Sequence, residues 1–177
     1  MYIWVGVDVE EQLQSMKILA KAVEEAIGFT HSNFTLPMHV SLKMSFFVAD
    51  ERFEEAVEAL AEFFNGLSPF SAPVEGVEQL DGIVWIRLRE NAALNAVHDG
   101  LNNLMRERFG VGLHAYDEDY KFHVTLFMDE EQTKLKNAYK SVVNAPLPPS
   151  FSLNRFVIGC SPNGKLGSYQ VYKRVDK

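Results

Sequence analysis

Two short stretches of the chain repeat one pattern of reactive side chains: His39-Val40-Ser41-Leu42 and His123-Val124-Thr125-Leu126. Both lie in runs that alternate polar and apolar residues, the mark of a half-buried strand. Residues two apart in a strand point to one face. His39, Ser41 and Lys43 therefore share a face opposite Val40, Leu42 and Met44, and Lys121, His123 and Thr125 share one opposite Phe122, Val124, Leu126 and Met128. The apolar faces must pack, which leaves the His/hydroxyl/Lys faces to line something polar. Those groups suit phosphodiester cleavage. One imidazole takes a proton from water or an attacking hydroxyl, and the other gives one to the departing sugar oxygen. Histidine does either near neutral pH because its unperturbed pKa is about 6.5. Hydroxyls two residues on, roughly 6.6 Å along the strand, can donate to non-bridging phosphate oxygens, and lysines add charge where it accumulates. Such a pair requires neither a metal nor another cofactor. One motif alone reads better as an ordinary half-exposed strand; the signal is the recurrence, each copy on an alternating strand that leads into a helix.

Other residues are candidates for contacts to substrate. In Ile83–Arg89, Trp85 and Arg87 share a face opposite Val84, Ile86 and Leu88, so Trp85 could stack a base and Arg87 could contact phosphate. Tyr116 and Tyr120 precede the second motif and could form a lid or base contact, with surface packing as the alternative. Lys43 and Lys121 fall at the rim of the histidine faces. His31, His98 and His114 lack a hydroxyl partner at the matching offset. His114 with Asp117 and Asp119 lacks the spacing of a metal site, and Cys160 reads as a small buried apolar residue rather than a nucleophile.

The elements that must position these residues follow from periodicity and caps. Tyr2–Asp8 reads as a strand, with a helix from about Glu10 to Ile27 stopped by Gly28. A polar loop over 31–37 ends at Pro37, and the first motif strand covers 38–46. Asp50 is placed as the cap of a second helix carrying Phe53, Ala56, Val57, Leu60 and Phe64 on one face. Phe70–Leu80 and Ile83–Arg89 form two strands about an Asp81-Gly82 turn. Asn91 opens a third helix to about Phe109, and an irregular 110–119 stretch leads to the second motif strand, 121–128. Asp129 or Glu130 starts a fourth helix, ended by the Pro-rich 145–149. Strands Phe151–Cys160 and Ser168–Val175 follow, with Asn163-Gly164 in their turn. A weak repeat of motif strand, helix and hairpin strands spans Met38–Arg89 and Lys121–Val175. The mixture implies an α+β fold with antiparallel sheets covered by helices.

At 177 residues, 47% hydrophobic and 23% charged, the chain is sized for a single domain over 1–177 with a sizeable core. A net charge of −7 argues against gripping a long duplex, which rests on neutralising many phosphates. It leaves room for a small anionic partner, a nucleotide or an RNA end. No apolar run approaches the ~20 residues of a membrane span. The N-terminus lacks a basic leader, and the lone Cys160 fits a reducing compartment, so a cytoplasmic setting is expected.

The tandem H-x-[S/T]-apolar motifs, His39-Val40-Ser41-Leu42 and His123-Val124-Thr125-Leu126, resemble those of the 2H phosphoesterase superfamily, which includes LigT-like 2′-5′ RNA ligases and RNA 2′,3′-cyclic phosphodiesterases. The flank from Pro37 to Phe46 is similar as well, and the element order fits over nearly the whole chain. The resemblance implies a bilobal fold, two antiparallel sheets related by a pseudo-twofold with helices outside, and one motif from each lobe facing a central cleft. It implies metal-independent cleavage, or reversible ligation, of cyclic phosphates or 2′-5′ linkages. Many LigT-like members carry an Arg shortly after the second motif; here Phe127-Met128-Asp129 follows, which leaves the substrate open. The alternative function is a module that binds a nucleotide or RNA end in the same cleft without turnover.

Overall fold

The structure, a computed structural model, describes residues 1–29 and 33–177; His31 and the start of the expected 31–37 loop lie outside the described residues. The strands are β1 (Tyr2–Asp8), β2 (His39–Phe47), β3 (Phe70–Leu80), β4 (Ile83–Leu88), β5 (His123–Met128), β6 (Ser150–Leu153), β7 (Arg155–Ser161) and β8 (Gln170–Asp176). The helices are α1 (Gln14–Ile27), α2 (Phe53–Asn65), α3 (Ala92–Phe109) and α4 (Gln132–Val142). The fold is α+β, and every strand pairing is antiparallel. Among the described residues no helix is long and apolar enough to cross a membrane.

Local chemistry explains most boundaries. Asn91 caps α3 by accepting from the Leu94 amide at 2.8 Å, and Gly110, at φ 68°, supplies the left-handed residue that ends it. Asp50 does not cap as expected: α2 starts at Phe53 after a 3-10 turn over Asp50–Arg52, and the Asp50 carboxylate instead takes the N-terminal ammonium. At α4 the start moves to Gln132, with Asp129 accepting from the Glu131 amide at 2.9 Å one step earlier.

Where two sheets were expected, the strands follow one order, β6-β3-β4-β5-β2-β1-β7-β8. It narrows at its middle, where β2 and β5 share the single pair Val40↔Val124. Counted outward from that junction, β1-α1-β2 occupies the place in its half that β4-α3-β5 occupies in the other. The correspondence thus begins one strand and one helix earlier than the Met38–Arg89 repeat suggested.

The expected single strand 151–160 is two strands broken at Asn154. Phe151 and Leu153 on β6 pair with the start of β3, whereas β7 pairs with β1. Two strands separated by one residue thus stand with five strands between them, which requires the sheet to curl until its ends approach. Gln12 closes the free edge of β6, donating from Nε2 to the Ser152 carbonyl at 2.9 Å and accepting from the Ser152 amide at 2.8 Å. The apolar faces of β2 and β5 (Val40, Leu42, Val124, Leu126, all 0% exposed) join the helices in one buried cluster. The histidine faces are left to the opposite side of the sheet.

Candidate active site

β2 and β5 are the central strands, so the two motifs lie side by side. Continuing the register of Val40↔Val124 one residue each way sets His39 across from Thr125 and Ser41 across from His123. His39, Ser41, His123 and Thr125 all line one cleft of about 200 Å³. The two rings are held alike. His39 Nδ1 lies 2.7 Å from the Pro37 carbonyl, and His123 Nδ1 lies 2.6 Å from the Lys121 carbonyl. A carbonyl only accepts, so each Nδ1 carries its proton there, and Nε2 is the nitrogen each ring offers to the cleft. Burial pushes both imidazoles below the ordinary histidine range. For His39 the Pro37 bond opposes this and the His123 charge adds to it, leaving its pKa at about 4.

An aromatic ring braces each imidazole. Trp4 meets His39 edge-on with centroids 4.2 Å apart, and Trp85 meets His123 at the same distance, tilted by 32°. Trp4 was not singled out from sequence because it sits in the apolar run of Tyr2–Asp8, though alternation puts Trp4, Gly6 and Asp8 on one face. The cleft is further lined by Phe34, Leu36, Met44, Met128 and Leu166, an apolar wall suited to a nucleobase. Tyr169, from the segment before β8, also lines it and had no motif to reveal it.

The expected substrate contacts divide. Tyr120 lines the cleft, stacked on His98 with centroids 4.5 Å apart. Burial, with the Asp117 charge adding, raises its pKa, so its hydroxyl stays a donor. Lys43 also borders the cleft, but its ammonium is engaged: it is 2% exposed and donates to Asp117 Oδ2 at 2.7 Å and Asn102 Oδ1 at 2.5 Å. The reason is the irregular 110–119 stretch, which delivers Asp117 into the core as a capping residue accepting from the His114 amide. Lys43 therefore anchors this segment to β2. Its bond fixes the Asn102 amide, whose Nδ2 then donates to His98 Nε2 at 2.9 Å, while His98 Nδ1 donates to the Leu42 carbonyl at 2.8 Å.

Trp85, Arg87, Tyr116 and Lys121 are not among the residues lining this cleft. Trp85 donates to Glu78 at 3.2 Å and packs on His123; Arg87 is paired with Glu75 at 2.9 Å and Glu78 at 3.1 Å. Strand neighbours of opposite charge on the sheet explain Arg87. Lys121 bridges Glu90 and Asp119, and Tyr116 is 69% exposed against His114. His114, Asp117 and Asp119 are not gathered for a metal; among the described residues no such cluster of three exists.

Among known proteins, the profile of the 2′-5′ RNA ligase superfamily matches residues 30–159. No curated protein matches in sequence. Among solved structures, TT0787 of Thermus thermophilus superimposes with a TM-score of 0.64 at 17% identity, over 99% of this chain and 97% of that one. E. coli LigT complexed with phosphate gives 0.60 at 14% identity, over 98% of this chain and 95% of that one. E. coli LigT complexed with 3′-AMP gives 0.59 at 15%, over 98% and 96%. At these identities the structures share the fold.

Proposed function

Since the chain belongs to the 2′-5′ RNA ligase superfamily, we propose that it cleaves a nucleotide-type phosphodiester, a 2′,3′-cyclic phosphate or a 2′-5′ linkage, with His39 and His123 as a metal-free acid–base pair. The observation that carries this reading is the matched tethering of the two imidazoles, each with Nδ1 on a backbone carbonyl two residues before it and Nε2 left for the cleft. In hydrolysis one Nε2 removes a proton from water as its oxygen bonds to phosphorus. The P–O bond to one sugar oxygen breaks, and the other imidazole, protonated at Nε2, supplies that oxygen's proton. Ser41 and Thr125 donate to the non-bridging oxygens, Tyr120 offers a further donor, and the apolar wall receives the base. Relatives crystallised with phosphate and with 3′-AMP support a small nucleotide as ligand.

Turnover of 2′,3′-cyclic nucleotides by the wild type beside His39→Ala and His123→Ala tests it. Each substitution is expected to cost roughly a hundredfold or more, the scale of losing one proton-transfer group; Ser41→Ala and Thr125→Ala cost less. Near-wild-type activity of either histidine variant would overturn the paired mechanism. Tight binding with no turnover by the wild type would make the cleft a nucleotide-binding module instead.

A further inference from the structure

We infer that Trp4 is a positioning residue for the proposed reaction: its indole braces His39 as Trp85 braces His123, and in this half of the cleft only it also restricts the direction of the motif hydroxyl, that of Ser41. The inference rests on the phosphodiester reading above and adds to it an inequality between the two motifs.

Trp4 is 6% exposed and lines the cleft from β1. Its neighbours there are two glycines, Gly6 two residues along and Gly159 directly across on β7. A Cβ built on Gly6 would stand 2.6 Å from the indole, and one on Gly159 also 2.6 Å from it. Neither glycine has a positive φ, so backbone freedom does not explain them. They form a bare floor on which the indole lies against the sheet. Seated so low, the ring presents its edge to His39 and its Nε1–H to Ser41 Oγ at 3.2 Å.

A serine hydroxyl has one proton and two lone pairs. With Trp4 donating into one lone pair, the Ser41 proton must point elsewhere. Ser41 lines the cleft, so a non-bridging phosphate oxygen there can take its proton in a rotamer that the indole leaves open, the Tyr120 hydroxyl being the other polar group beside it. The second half differs. Trp85 Nε1 donates to Glu78, not to the motif hydroxyl, so Thr125 is given no donor by its tryptophan. Ser41 thus has fewer hydroxyl rotamers to lose than Thr125, and a donor restricted beforehand stabilises developing charge at a smaller reorganisation cost.

The test is a pair of double-mutant cycles on kcat/KM for a 2′,3′-cyclic nucleotide. Trp4→Phe keeps the packing and removes the N–H. It should lower kcat/KM by about fivefold, the scale of one hydrogen bond. That loss should vanish in the Ser41→Ala background and persist in full in the Thr125→Ala background. Gly159→Ala, whose Cβ crowds the indole at 2.6 Å and the Gln170 carbonyl at 3.0 Å without removing the N–H, should give a loss whose indole part has the same dependence on Ser41. A packing defect would be felt equally in both backgrounds, and equal losses would overturn the role of Trp4. As a second readout, the loss in Trp4→Phe should fall on kcat with KM little changed, because a restricted hydroxyl acts on charge that develops in the transition state; a loss confined to KM would also count against it. A wild type that neither turns over the nucleotide nor binds inorganic phosphate would sink the proposed function itself, and this inference with it.

Discussion

At the scale of single residues, the two imidazoles are held neutral by their surroundings, and two pH effects follow. Burial lowers both pKa values, His39 to about 4. If turnover needs one ring protonated and one neutral, the productive free enzyme is most abundant between two values that both lie below the ordinary 6.5. We expect a bell-shaped kcat/KM with its maximum on the acid side of that figure. A bound anionic phosphate favours the protonated rings, so the kcat maximum should stand at higher pH than the kcat/KM maximum. A rate climbing steadily with pH would rule out the acid partner. The same shift acts on stability. Between about pH 6.5 and 4 the unfolded chain takes up a proton at His39 that the folded chain resists. His39 therefore contributes to stability above this window, and that contribution is lost as pH falls through it. Urea midpoints measured from pH 7 to 4 should fall more steeply for the wild type than for His39→Asn.

At the scale of elements, the 110–119 segment is held by one buried ion pair between a strand lysine and an aspartate that returns from beyond α3. Burial works against the Asp117 charge, yet Lys43 and the His114 and Met44 amides hold its carboxyl below the usual range. Lys43→Met would leave that carboxylate buried and unpaired, at a cost of about 3–5 kcal/mol. The Lys43→Met/Asp117→Asn double variant should lose less than the sum of the singles, as read by urea unfolding. Here lies the limit of what the sequence discloses. Alternation placed His39, Ser41, His123 and Thr125 on their faces, Gly28 marked the end of α1 and Asn91 the start of α3, because these signals are local. Alternation also placed Lys43 toward the cleft, but its ion pair with Asp117 joins residues 74 positions apart and leaves no periodic trace. The break at Asn154 was illegible for a related reason. Phe151–Cys160 has the residues of one strand, and only the two different partners, β3 and β1, divide it. Trp4 was missed because an apolar residue in an apolar run resembles core, whatever its edge touches.

At the scale of the molecule, the charges around the site are largely compensated locally: Lys43, Arg87 and Lys121 each face carboxylates. In the proposed reaction the grip on phosphate then falls to neutral donors and a protonated imidazole, so few counterions would be displaced on binding. The slope of log kcat/KM against log salt for a mononucleotide substrate should be shallow, no more than about one in magnitude; a slope of several would mean an extended nucleic-acid track. Acid, base and phosphate contacts are all assigned to side chains, so turnover should survive dialysis against EDTA and assay in chelator-treated buffer. Loss of activity restored by a divalent ion would point to a different mechanism. The passage from β6 to β7 at Asn154 has a further consequence for the order in which the protein is made. β1 and β2 leave the ribosome well before β7, yet β7 is the strand that covers the outer edge of β1, and it is completed only at residue 161. Until then the nascent chain carries an unpaired edge beside the first histidine strand, the kind of edge that invites pairing with other chains. The half built from β3, β4, β5 and β6 has all its strands by Leu153, whereas the half begun first, with β1 and β2, receives its last strands only once the chain beyond Asn154 has emerged.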